Sequence, residues 1–235
     1  MEELAEQLKQ HLGCPCTFFP AGKDTGPIMD AFHQARERGK KEGFFPVLVA
    51  VDEILLECFQ FSDEDRQELL STPLEPVGEL FRTWREEACE DLEDAEEQED
   101  AVGEVSGGEE IHSFLSLRDF SGSGTIPVLL AEIPARNPWE IFAWLPFGGW
   151  NACPANGEHM AVARYWFETW GAVPALITHD VLEYILPAPV PREKCLEVAQ
   201  EQYAYCTDIV DQGVGTVGCL ADGLAQSTVW FFWWD

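Results

Sequence analysis

Residues 173–186 read VPALITHDVLEYIL. Two apolar runs, 173–178 and 181–186, flank His179-Asp180, which is the spacing of a β-hairpin with a two-residue turn. A hairpin commits the chain to antiparallel pairing, and the neighbouring segments extend the pattern in both directions. Upstream, residues 126–134 (Val128, Leu129, Leu130, Ile133) and 139–145 read as two strands, and 146–151 as a loop. Residues 158–170 then read as a helix whose Val162, Tyr165, Trp166 and Trp170 form one apolar stripe, ended by Gly171. Downstream, Pro191 opens a helix carrying Cys195, Val198, Ala199, Gln202, Tyr203 and Cys206 at 3–4 spacing. A shorter helix over 216–224 leads into an aromatic closing strand over 228–234. The C-terminal order is therefore β-β-α-β-β-α-(α)-β. It predicts an α+β fold, a mixed and largely antiparallel sheet with helices packed on it.

The first 85 residues show strand, helix, strand, helix. Residues 17–19 form a short strand, and 28–41 a helix with Ile28, Met29, Phe32 and Ala35 on one face. Its last turn is basic (Arg36, Arg38, Lys40, Lys41), which suits a helix C-terminus, and Gly43 stops it. The unbroken apolar run at 46–51 marks a strand buried on both faces. Residues 62–65 look like a cap and acidic first turn opening a helix to Leu70, and another helix starts near Val77 with Leu80, Phe81 and Trp84. Between Glu86 and Glu110 lie thirteen acids and no base. This stretch is expected to continue the helix toward Asp100, fraying past about Asp94, and then to bury nothing, as a flexible acidic linker. The division is thus 1–85, an N-terminal α/β region; 86–110, an acidic helix end and linker; and 111–235, a C-terminal α+β domain. Whether the two halves share one sheet is open at this level.

Charge is the outlying property: 43 Asp+Glu against 14 Lys+Arg give a net −29. Such a chain repels nucleic-acid phosphates and anionic membrane surfaces, so neither is an expected partner, whereas a basic protein is the natural one. No stretch reaches the roughly 20 apolar residues of a membrane span. Residues 1–10 carry four ionisable side chains and no apolar core of a secretory signal. Eight cysteines without such a signal read as reduced thiols of a cytoplasmic protein.

Eight of the nine tryptophans follow residue 138, and Trp230, Phe231, Phe232, Trp233 and Trp234 close the chain. Apolar on both faces, that strand is expected to pair on both sides, because an edge so apolar invites aggregation. The segment Tyr203 to Gly213 leaves a helix carrying two phenols, a thiol, two acids and an amide into a turn, a common setting for binding groups. A nucleophilic thiol needs a base, so Cys206 or Asp208 with His179 are the catalytic candidates, and Asp211 or Asn151 the orienting groups. The packing alternative for Cys206, a small apolar residue continuing its helix stripe, is the stronger. Trp150, Asn151, Asp180, Tyr205 and Gln212 are the candidate binding residues, on loops that such a topology can gather on one rim. Cys14-Pro15-Cys16 lacks a second ligand pair at zinc spacing, so no metal is expected, and no cofactor motif is present.

Several segments in order resemble the bacterial domain-of-unknown-function family 4253. They are Pro138-Trp139-Glu140, the loop Leu145 to Asn151, Arg164-Tyr165-Trp166 with Trp170-Gly171-Ala172, Tyr203 to Gly215, and the closing Ser227 to Asp235. The resemblance covers roughly 126–235 and implies a bacterial, cytoplasmic, compact domain, with no activity to carry over. The resulting expectation is a non-catalytic protein-binding module, an acidic adaptor or an antagonist of a basic protein. The alternative is a small hydrolase or transferase using Cys206 or Asp208 with His179.

Overall fold

In the computed structural model, which describes residues 1–62, 64–90 and 102–235, the hairpin forms as its sequence indicates. Strand β4 (Val173–Ile177) pairs antiparallel with β5 (Val181–Ile185), with a bulge between Pro174 and Leu176. Strand β6 (Val229–Trp233) adds to β5 with Tyr184 opposite Trp230. On the other side, β4 runs parallel to β2 (Phe45–Ala50), which pairs antiparallel with β3 (Val128–Ile133). Strand β1 (Cys16–Phe19) closes that edge. The order β1-β3-β2-β4-β5-β6 is one mixed, mostly antiparallel sheet, an α+β arrangement. Strands from both sides of the acidic segment share it.

The two faces are buried differently. Helix α2 (Gly26–Glu42) places Ile28, Phe32 and Ala35 over Leu48, Leu130 and Leu176, and the segment around Phe114 completes that layer. The opposite face carries α1 (Glu2–Leu12), α3 (Glu53–Phe61), α5 (Val77–Glu90), α6 (Asn156–Trp170), α7 (Cys195–Tyr205) and α8 (Val217–Leu224). Helix α4 (Arg66–Ser71) sits at the margin with no buried residue. Alternation along β2 sorts the layers: Val47 and Val49 join the larger core, Leu48 the smaller. Left-handed glycines end α2 at Gly43 and α6 at Gly171, as their positions suggest. Among the described residues, no helix is long and apolar enough to cross a membrane.

Three expectations need correction. The stretch 139–145 is a 3₁₀ helix (Pro138–Ala143), not a strand. Asn137 caps it, Pro138 starts it, and the Glu140 carboxylate accepts the Arg136 N–H at 2.8 Å and the Asn137 N–H at 3.3 Å, a capping box that outweighs apolar composition. The closing strand is an edge, paired with β5 alone. Its outer side is covered instead of paired: the Ile111 carbonyl accepts the Val229 N–H at 3.1 Å, and the Cys206 thiol donates to the Trp233 carbonyl at 3.0 Å. The last part of the acidic segment is docked rather than free. Val105 packs on the larger core, and the Gly108 N–H donates to Asp222 at 3.0 Å. A Cβ on Gly108 would stand 2.1 Å from the Gly223 nitrogen, so this backbone contact with α8 requires a residue without a side chain. The expected fraying past Asp94 lies outside the described residues.

Candidate functional site

The predicted loops meet at one end of the sheet, around the last residues of the chain. Asn151 donates to the Asp235 carbonyl at 2.8 Å, and the Asp235 N–H donates to Asp208 at 3.0 Å. Asp180 accepts the Trp233 indole N–H at 3.1 Å, and its carbonyl accepts the Trp234 N–H at 3.1 Å. Gln212 donates to Asp208 at 2.8 Å across the π-helical turn Ile209–Val214, and Tyr203 donates to Asp211 at 3.1 Å. Asn151, Asp180, Asp208 and Gln212 therefore lie on a common rim, tied together by residues 233–235 at the end of the chain. The contacts of Asn151, Asp180 and Asp208 with residues 233–235 each satisfy a backbone or indole group, so the rim is built as structure first.

The catalytic candidates do not assemble. His179 bonds to Asp52 at 3.1 Å and approaches Asp180 at 3.6 Å, and none of its contacts reaches Cys206, Asp208 or Asp211. Cys206 is buried, donates to a carbonyl, and burial pushes its thiol up to about 12. A neutral thiol without a base is not a nucleophile. His179 and Asp52 instead fasten the rim to α3: the second Asp52 oxygen accepts the Ile54 and Leu55 N–H groups at 2.7 and 3.1 Å. Asp52→Ala is expected to cost about 1–2 kcal/mol of stability and Asp52→Asn clearly less, read from urea unfolding midpoints. Equal losses would mean that the pairing of the Asp52 carboxylate with His179, and not the cap, carries the contribution.

A second polar cluster is buried under the Pro146–Asn151 loop. His159 on α6 shares a 2.5 Å hydrogen bond between Nδ1 and the Tyr205 hydroxyl, and Cys153 lies 3.6 Å from Nε2. Phe142 stacks on the imidazole at 5.1 Å, and burial pushes the ring down to about 3, so it is neutral. Burial also pushes Cys153 up. Gly148, at φ +88°, seals the cluster, since a Cβ there would lie 2.7 Å from His159 Nε2 and 2.0 Å from the Pro154 carbonyl. With neither thiolate nor entrance, this is a satisfied core network. Tyr205 belongs to it and not to the exposed rim. The sequence hint was the placement of His159 on the same stripe as Val162 and Trp166, a position that packs inward.

An open surface begins where that loop meets α4. A groove of about 620 Å³ runs between α4, residues 72–75 and the start of α6. Leu69, Pro73 and Leu74 line it, and Glu64, Asp65, Glu68, Glu75 and Glu158 stand around them, with no base among the described lining residues. Local chemistry fixes its walls. Asp65 caps α4 through the Gln67 and Glu68 N–H groups at 2.9 and 3.0 Å, and Glu158 accepts the Ala155 N–H at 2.7 Å. The Asn156 amide donates to Glu64, while its carbonyl oxygen accepts the Phe147 N–H at 2.9 Å. Glu64 and Ala155 also border a second hollow of about 250 Å³ that includes Trp150 and Phe61, the latter 79% exposed. On the far side, Arg66 lies 4.8 Å over Trp144 and donates to the Ala143 carbonyl at 3.2 Å. Of the residues singled out from sequence, Trp150 alone lines this surface. The acids of α4 were legible only as a helix cap.

Residues 129–235 match the model of a domain of unknown function, DUF4253. No curated protein and no solved structure matches the chain. The matched span contains the rim, the Gly148 loop and the His159 cluster. It begins inside β3 and omits β2, the strand that stands between β3 and β4 in the sheet.

Proposed function

We propose that this protein is a non-catalytic cytoplasmic binding module, an adaptor for or antagonist of a basic protein. The docking surface would be the groove of α4 and its continuation past Phe61 and Trp150. The observation that carries the reading is the pairing of an apolar floor (Leu69, Pro73, Leu74) with five surrounding carboxylates. An apolar floor gives a partner side chain somewhere to bury, and the surrounding charge speeds and selects the encounter with a cationic segment. The exposed Phe61 ring beside Trp150 extends the apolar contact. Cys14, Cys16, Cys58, Cys153, Cys195, Cys206 and Cys219 are unpaired thiols, in keeping with a reducing compartment. Against the hydrolase reading stand the separation of His179 from Cys206 and the protonated state of that thiol.

The test is titration of a fluorescent amphipathic peptide, with leucines on one helical face and lysines on the other, into the full chain at low and high salt. Binding is expected to weaken about tenfold or more between 50 and 300 mM salt. The double substitution Glu68→Lys with Glu75→Lys should remove most of it, and native tryptophan circular dichroism should be retained. Salt-independent binding, or a charge-reversed protein that binds as before, would refute the assignment.

A further inference from the structure

The end of the sheet opposite the acidic rim carries the reverse electrostatics. A cleft of about 770 Å³ opens between α2, the start of β2, residues 134–136 after β3, and the C-terminal end of α6. Its walls are apolar and aromatic, with Phe44, Phe167 and Pro187 among them, and its charged residues are Arg36, Lys40 and Arg136. No acid among the described residues lines it, in a chain of 43 acids and 14 bases.

Two of the three cations have no local explanation. Lys40 sits in the last turn of α2 beside Glu37, where a base offsets the helix dipole. Arg38, outside the cleft, is neutralised by Glu132 and Glu42. Arg36 lies more than a turn before the helix end, half-buried with its guanidinium 6.0 Å from the Phe32 ring centroid. Arg136 comes from a different element. Among the described residues, neither Arg36 nor Arg136 has an ion-pair partner. Gly43 and Gly171 return their N–H groups to the Gly39 and Phe167 carbonyls at 2.8 and 2.9 Å, which occupies one carbonyl at each helix end beside the cleft and leaves an anion there reliant on the guanidinium groups. Two planar guanidinium groups in an apolar-walled cleft of this volume match the usual form of a small-ligand site.

We propose that this cleft binds a small organic anion, a carboxylate or phosphate head on a flat apolar body. The head would lie between Arg36 and Arg136, and the body against the Phe44 and Phe167 walls. This site is independent of the acidic groove and does not need a protein partner.

The probe is 8-anilinonaphthalene-1-sulfonate, an aromatic sulfonate whose fluorescence reports binding to the folded chain. Uncharged N-phenyl-1-naphthylamine tests the body without the head, and inorganic phosphate the head without the body. One-to-one binding of the sulfonate is expected, with the neutral analogue and phosphate each about tenfold weaker or worse. Arg36→Gln and Arg136→Gln should each weaken it about tenfold, while Lys194→Gln, on α7's approach, should leave it unchanged. Displacement by benzoate or by phenyl phosphate then identifies the preferred head. Equal binding of the neutral analogue, no effect of either arginine substitution, or displacement by neither competitor would overturn the site.

Discussion

Trp166→Ala is expected to lower the unfolding free energy by about 3–5 kcal/mol, a large part of the stability of an ordinary domain. Trp166 is fully buried at the centre of the larger core. Its ring stacks on Phe232 at 5.3 Å and 11° and meets Tyr205, Trp230 and Tyr184 edge-on at 5.1, 5.3 and 5.7 Å. Phe81, on the N-terminal side of the acidic segment, stacks on it at 6.3 Å. The cost has two parts. Removing the indole leaves a cavity that five rigid aromatic rings cannot collapse into, and dispersion contacts are lost on every side. The indole N–H also donates to Glu201 at 3.2 Å, leaving that buried carboxylate with the Tyr165 hydroxyl at 2.8 Å. Tyr165→Phe removes only the second bond and should cost about 1 kcal/mol. Guanidinium unfolding followed by tryptophan fluorescence and by far-ultraviolet circular dichroism gives both numbers. A loss below about 1 kcal/mol for Trp166→Ala would show that the aromatic cluster is not the centre of the core. Because Phe81 and β2 join the same packing, the two probes should report one transition, at one denaturant concentration, in the native protein.

The hairpin, the glycine helix ends and the buried run at 46–51 were legible because each follows from a short local signal. Two apolar runs around a two-residue turn, an αL residue and an unbroken apolar stretch need no knowledge of the rest of the chain. Helices α1 and α3 follow rules equally local: Ala5, Leu8 and Leu12 repeat at helical spacing, and Asp52 is an N-cap. They pass unnoticed because a charged N-terminus and a continuous apolar stretch both mask the period. The 3₁₀ turn at Pro138 shows the reverse error, composition favouring a strand where a single Glu140 carboxylate decides for helix. What no local rule supplies is the crossover that inserts β2 between β3 and β4. That pairing joins residues more than a hundred positions apart, as Leu48 opposite Leu176, and it makes one sheet of two apparent regions.

The site divides in the same way. Gathering of Asn151, Asp180 and Asp208 on one rim followed from topology, since the connections at one end of an antiparallel sheet converge. Their chemistry did not follow, because the hydrogen bonds that occupy them come from the Trp233 indole and the Asp235 backbone at the end of the chain. The acidic groove and the cationic cleft escaped notice for a different reason. Each is assembled from three or more elements whose individual charges look like ordinary helix capping. In α2, the basic turn is correct as a dipole reading for Lys40, and only the fold shows that Arg36 and Arg136 line one apolar cleft.

His159→Gln is expected to flatten the acid side of the stability profile. Burial holds the imidazole neutral down to about 3, against an ordinary value of 6.5. Below pH 6.5 the unfolded chain takes up a proton that the folded chain refuses. The contribution of His159 is thus fully present above pH 6.5 and is lost as pH falls toward 3, at up to about 1.4 kcal/mol per pH unit. Glu183 acts in the opposite sense. It accepts the Leu115 and Ser116 N–H groups at 3.0 and 2.9 Å, yet burial lifts its carboxyl to about 7 from 4.5, so the folded state holds the extra proton between those values. Its contribution is present below pH 4.5 and is lost as pH rises to 7. Between 4.5 and 6.5 the two oppose each other, and below 4.5 the histidine acts without that offset. A glutamine cannot titrate, but it can keep a hydrogen bond to Tyr205. At pH 7.5 the variant should be less stable than the native protein by about 1–3 kcal/mol from altered packing. Urea unfolding of both proteins at pH 7.5, 5.5 and 4.5 isolates the histidine, since Glu183 and the other carboxylates contribute equally to each and cancel in the difference. That difference should shrink with each step down in pH below 6.5, by about 2.7 kcal/mol in all at pH 4.5. A constant difference would mean that the ring is protonated within the fold, and that the core has room for a charge beside Tyr205 and Cys153.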